Sequence, residues 1–180
     1  MVTKKTTPSW SDLKAKLADL DRAGIVSLVQ DMYAASKDNQ SFLHARFGLG
    51  DDVLKPYKAT IDRWLWPKPF TNHRHSVVTA KKAIADYKKA IGRPEGLAEL
   101  MVFYCERAIG CANEGLEDEN YFSALVRMFE QALLEIGNLP EAQRQPLRKR
   151  LRAVSSLGQD IGYGVGDDMG ELLAEFGVDG

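Results

Sequence analysis

Two long apolar periodicities in succession constrain this chain more than any other feature. Over residues 94–112, Leu97, Leu100, Met101, Tyr104, Ala108 and Cys111 recur at helical spacing, while Glu95, Glu99, Glu106 and Arg107 fall elsewhere around the turn. Over 118–136 the stripe is denser, with Tyr121, Phe122, Leu125, Met128, Phe129, Ala132, Leu133 and Ile136. Only five residues, 113–117, separate the segments, so they read as an antiparallel helical hairpin whose stripes require burial against other helices. Pro94 suits a first helical turn, and Gly115 and Gly137 stand where helices stop.

The flanking sequence repeats the pattern. Ser9 or Ser11 begins a short first helix carrying Leu13, Leu17 and Leu20, with Asp12 three residues after Ser9 as in a capping box. Asp21 caps a second helix with Ile25, Leu28, Val29, Met32 and Tyr33 on one face, ended by polar residues 36–40, and a short third helix surrounds Phe42, Leu43 and Phe47. A fourth opens at Asp51 or Asp52 and buries Leu54, Tyr57, Ile61, Trp64 and Leu65. Ser76 caps a fifth that runs to Ile91 and stops at Gly92. After the hairpin a helix begins at Pro140 and is interrupted or restarted at Pro146, with Leu147, Leu151, Val154, Leu157 and Ile161 as its stripe. The last spans 167–176, capped by Asp167 or Asp168, with Tyr163 folded toward the core. No strand alternation and no fixed-period repeat occurs.

The expected fold is therefore all-α: a single compact irregular bundle of seven to nine helices over residues 11–180, preceded by a frayed tail at 1–10, with a short superhelical stack as the alternative architecture. A chain of 180 residues is one domain's length. No apolar run approaches the ~20 residues of a membrane span, and the polar, lysine-bearing start is not a secretory signal. Cys105 and Cys111 lie six apart on one helix, about 9 Å along its axis, too far for a disulfide, which suits a reducing cytoplasm.

Charge is sorted along the chain although the net charge is only −1. Residues 55–93 carry ten bases against Asp62 and Asp86; residues 94–141 carry ten acids against Arg107 and Arg127. Residues 142–154 are purely basic and 155–180 purely acidic. In the fifth helix Lys81, Lys82, Lys88 and Lys89 share one sector beside the apolar stripe. With Arg74 and Arg93 at its ends, His73 and His75 just upstream and Trp66 and Phe70 nearby, that sector is the candidate partner-binding or phosphate-contacting face. The near-neutral balance is unlike a dedicated nucleic-acid module. A further expectation is that the basic block lies against the acidic hairpin, within one chain or across a homodimer. Arg148, Lys149, Arg150 and Arg152 point around the whole helix and form no single surface.

Tyr163, Gly164, Gly166, Asp167 and Asp168 form a possible ligand loop, since alternate glycines before a helix resemble phosphate cradles. The context argues against phosphate: no strand precedes the loop, no lysine follows it, and two aspartates open the helix. The aspartates are too few for a calcium loop, and His73 and His75, spaced i, i+2 in a loop, are too few ligands for a metal site. Nothing nominates a nucleophile, a metal or a cofactor. Trp66 either presents itself to a partner or folds back to close its helix end.

The run Phe42-Leu43-His44-Ala45-Arg46-Phe47, the lysine helix around Ala83-Ile84-Ala85-Asp86-Tyr87 and the 162–168 loop resemble an uncharacterised family of small bacterial all-helical proteins. That resemblance implies a bacterial cytoplasmic setting and no activity. The expected function is a non-enzymatic interaction domain that recognises a protein partner, or a second copy, through its basic and acidic surfaces. Nucleic-acid binding by the helix at 76–93 and a small-molecule site at the glycine-rich loop are the alternatives.

Overall fold

The two long periodic segments form the central hairpin in a computed structural model that describes residues 8–49, 52–67 and 74–178. Its helices are α1 (Trp10–Ala18), α2 (Arg22–Ala35), α3 (Lys37–Phe47), α4 (Lys55–Leu65), α5 (Val77–Ala90), α6 (Pro94–Asn113), α7 (Glu119–Gly137), α8 (Glu141–Gly158) and α9 (Val165–Glu175). No strand occurs among the described residues. Most of the expected N-terminal tail, Asp51, and Lys68, Phe70 and His73 lie outside them. The chain divides into two compact units, Met1–Leu43 and His44–Gly180.

In the first unit the local signals act as written. Ser9 and Asp12 form a reciprocal capping box, and Asp21 accepts a hydrogen bond from the Gly24 amide at 2.7 Å. Ser36 breaks the helix in extended backbone, and α3 restarts at once. Asn39 and Gln40 donate side-chain hydrogen bonds back to the Met32 and Tyr33 carbonyls, which the end of α2 leaves without helical donors. Neither α1 nor α2 contains a buried residue.

The second unit is organised on α6, which packs against α4, α5, α7 and α8, while α9 lies on α7 and α8. Leu97, Leu100, Tyr104 and Ala108 of α6 and Tyr121, Leu125, Phe129 and Ile136 of α7 are buried. A fully buried Leu, Ile or Phe contributes about 1.5–3 kcal/mol, so this hairpin supplies much of the core. Met101 and Cys111 are half-buried at its edge, and Cys105 is a buried free thiol whose pKa burial raises. The α5 C-terminus stops as its sequence requires: Gly92 has φ +66° and returns its amide to the Tyr87 carbonyl.

Three expectations need correction. α4 begins at Lys55, not at the aspartates; Asp52 instead accepts from the Leu54 amide just before it. α8 is continuous through Pro146, which stands in its second turn, and Leu157 is exposed while Leu147, Leu151 and Val154 hold the helix on α6. α9 starts two residues earlier than expected, at Val165, with Gly164 at the N-cap and no side-chain cap. Asp167 and Asp168 are therefore exposed first-turn acids, favourable to the helix dipole but not caps.

The glycines of that loop have a backbone explanation. Gly162, Tyr163 and Gly164 are successive left-handed residues with φ +79°, +53° and +73°. Gly166 lies where a Cβ would meet Gln159 Cα at 2.7 Å, so it sets how closely α9 approaches α8.

Candidate functional site

The basic face has its anchor in α5, where Ala80, Ala83, Ile84 and Tyr87 face the core and leave the lysines outward. Ser76 caps the helix by accepting from the Thr79 amide, which fixes where the sector begins. Lys88 and Lys89 are exposed in the last turn, where cations suit the helix dipole. Lys82 is exposed but paired with Asp86 at 2.7 Å. Lys81 is half-buried; burial, reinforced by the nearby Arg127 of α7, holds its ammonium below the ordinary lysine range. Arg74 is exposed just before α5, and Arg93 is the N-cap residue of α6. Lys88, Lys89 and Arg93 are thus outward on the later part of the face, while Lys81 and Lys82 are partly committed to neighbours.

The basic block does meet the acidic hairpin inside this unit. Lys58 of α4 pairs with Glu99 of α6 at 2.6 Å, and Arg150 of α8 bridges Glu99 and Glu106. Arg150 presents Nε and Nη2 to the two Glu106 oxygens at 2.7 Å each, a fork-to-fork contact. Partial burial would raise Glu99, but hydrogen bonds from Arg150 and Lys58 outweigh it and hold the carboxyl below its ordinary value. By its sequence position Arg150 is one of four cations scattered around α8; only the fold reveals that it faces two glutamates 44 and 51 positions away.

Beside this network, Arg107 lies 2.6 Å from Asp62, an ionic contact rather than an aligned hydrogen bond, and stacks 4.2 Å from the Trp66 ring. Trp66 folds back over α6, and its indole N–H donates to Glu114 at 2.7 Å. Gly110 makes room for the ring: a Cβ there would fall 2.4 Å from it. The isolated glycine in a strongly helical stretch was the one available sign of this close approach. The groove between α4 and α6, about 400 Å³, is lined by Lys55, Lys58, Ala59, Asp62, Phe103 and Arg107.

His75 precedes α5 and meets Asp118, the N-cap of α7, at 2.9 Å, with its ring edge-on to Tyr121. The histidine lowers the Asp118 pKa, helped by the Tyr121 amide. His75 thus joins Asp118, whereas Asp168 lines a different cleft, about 310 Å³, with Tyr163, Glu119, Phe122, Ser123 and Arg127. Tyr163 is not folded into the core: it is 66 % exposed, its ring leaning on Phe122 at 5.3 Å.

Among the described residues no group of three or more His, Cys, Asp or Glu side chains is placed to hold a metal ion, and no helix is long and apolar enough to cross a membrane. No protein-family model, curated protein or solved structure matches the chain.

Proposed function

We propose that the chain is a non-enzymatic helical interaction module that recognises a protein partner through the oppositely charged faces of its second unit. The carrying observation is what remains after internal pairing. Lys58, Asp62, Glu99, Glu106, Arg107 and Arg150 of α4, α6 and α8 close on one another, yet the outward charges of α5 and α9 are of opposite sign. Lys88 and Lys89 stand on α5, and Asp167, Asp168, Glu171 and Glu175 stand exposed on α9, which carries no base. Exposed ion pairs contribute little to stability, so faces sorted in this way act mainly on partner choice, orientation and association rate.

The test is affinity co-purification with the full chain at low and high salt, comparing wild type with Lys88→Glu/Lys89→Glu and with Asp167→Lys/Glu171→Lys. A protein retained at low salt and lost from one of the reversals supports the reading. Identical retention by all three chains overturns it. Fluorescence anisotropy with labelled DNA and RNA runs alongside; salt-sensitive binding abolished by Lys88→Glu/Lys89→Glu would reassign the basic face to phosphate contact.

A further inference from the structure

α2 has a composition unlike that of a surface helix. Of its 14 residues only Arg22 and Asp31 are charged. At 100° per residue Leu28, Met32, Ile25, Val29, Tyr33 and Val26 fill a sector of about 160°, into which only Arg22 of the first turn intrudes, wider than the ~100° stripe that one packed neighbour covers. Such a helix belongs inside a bundle.

The first unit does not supply that bundle. Neither α1 nor α2 buries a single residue. Val26 is 60 % exposed, Met32 51 % and, on α1, Trp10 68 %. A unit of this length is too small to bury enough surface by its own folding. The uncovered portions of its large apolar side chains, from Trp10 to Phe42, amount to roughly 800 Å², which is what each partner contributes to a standard stable interface.

The unit's charge narrows the occupant. Its described residues carry Lys14, Lys16, Arg22 and Lys37 against Asp12, Asp19, Asp21, Asp31 and Asp38, so there is no basic face of the kind that draws a helix to anionic lipid or nucleic acid. An apolar stripe of sufficient area with no charge pattern to select a foreign partner is suited to pairing with itself, because a two-fold axis sets identical surfaces against each other.

We propose that the apolar face of α2, extended by α1, pairs with the same face of a second copy of this chain across a two-fold axis. The proposal stands on the first unit alone and is independent of the charged faces of the second.

Sedimentation velocity of the full chain from about 1 to about 100 μM tests it, spanning the affinities expected of an interface this size. The expected species is twice the 20.0 kDa chain mass. Val26→Lys/Met32→Lys keeps good helix formers on α2 and touches no core residue, so it should leave the far-ultraviolet circular dichroism unchanged while weakening association on the order of a hundredfold or more. Lys88→Glu/Lys89→Glu should remain dimeric, which separates this pairing from the charged-face reading. A wild-type chain that stays monomeric across the range overturns the proposal, as does a dimer that persists in Val26→Lys/Met32→Lys with helix content intact. Should that double variant lose helix content, Val29→Glu decides: a helical monomer supports the pairing and a helical dimer overturns it.

Discussion

Gly110 is flat ground for Trp66: the indole lies where a side chain at Gly110 would be, 2.4 Å from the nearest ring carbon. Gly110→Ala must therefore displace the ring, breaking its hydrogen bond to Glu114 and its stacking with Arg107. The expected loss is about 1–3 kcal/mol, the usual cost of overpacking. Gly170→Ala is the control, since nothing lies within 4 Å of a Cβ there and alanine favours the interior of α9 by roughly 0.5–1 kcal/mol. Urea unfolding of both variants should move the midpoints in opposite directions.

Two buried tyrosines in this unit should respond oppositely to the same substitution. Tyr121 donates to the Leu65 carbonyl at 2.9 Å, satisfying an acceptor at the end of α4, whereas the Tyr104 hydroxyl is buried with no hydrogen-bond partner among the described residues. Tyr121→Phe should destabilise by about 1–2 kcal/mol. Tyr104→Phe removes an unpaired polar atom and should be neutral or stabilising. Thermal unfolding of the pair checks this; a loss at Tyr104 equal to that at Tyr121 would mean its hydroxyl has a partner after all.

Helix existence was legible because it depends on period and punctuation, both local. Leu125, Phe129, Leu133 and Ile136 recur at helical spacing, and Ser9, Asp21 and Ser76 cap as their side-chain chemistry dictates. The misplaced start of α9 has a local cause too. Three successive left-handed residues make the loop tighter than its glycine spacing suggested, so the helix begins at Val165 and the aspartates fall inside it. The charge network of the second unit was not legible, because which glutamates Arg150 meets depends on how α8 crosses α6. Nor does periodicity say what covers a stripe: α2 is on average as apolar as α7, yet α7 is buried and no residue of α2 is.

Arg150 holds two carboxylates, so its loss is also a statement about pH. Arg150→Ala leaves Glu99 and Glu106 with Lys58 as their remaining cation, and because the cluster is still partly solvated the expected cost at neutral pH is about 1–3 kcal/mol, below that of a fully buried pair. The folded pKa of Glu99 lies below its ordinary 4.5. Its contribution is therefore fully present above the unfolded value and is lost as pH falls through the folded one. The gap between wild type and Arg150→Ala in urea midpoints should be widest near neutrality and close as the pH falls below the ordinary glutamate value. A gap of constant size at all pH values would assign Arg150 a packing role instead.

Asp118 combines two roles that substitution can separate. One carboxyl oxygen accepts from the Tyr121 amide at 3.1 Å as the α7 N-cap, and the other meets His75 at 2.9 Å. Asparagine keeps the cap and removes the charge; alanine removes both. Asp118→Ala should cost about 1 kcal/mol, and Asp118→Asn only a few tenths, because a pair still partly open to solvent is screened. The Asp118 pKa is lowered by His75 first and by the cap second, so the charge-dependent part is present above its ordinary 3.8 and disappears as pH falls through the folded value. Below that pH wild type and Asp118→Asn should unfold at the same temperature, while Asp118→Ala should remain less stable because the cap does not need the charge. Equal destabilisation by Asn and Ala near neutrality would instead place the energy of this contact in the histidine pair, making His75 the residue that ties the start of α5 to the start of α7.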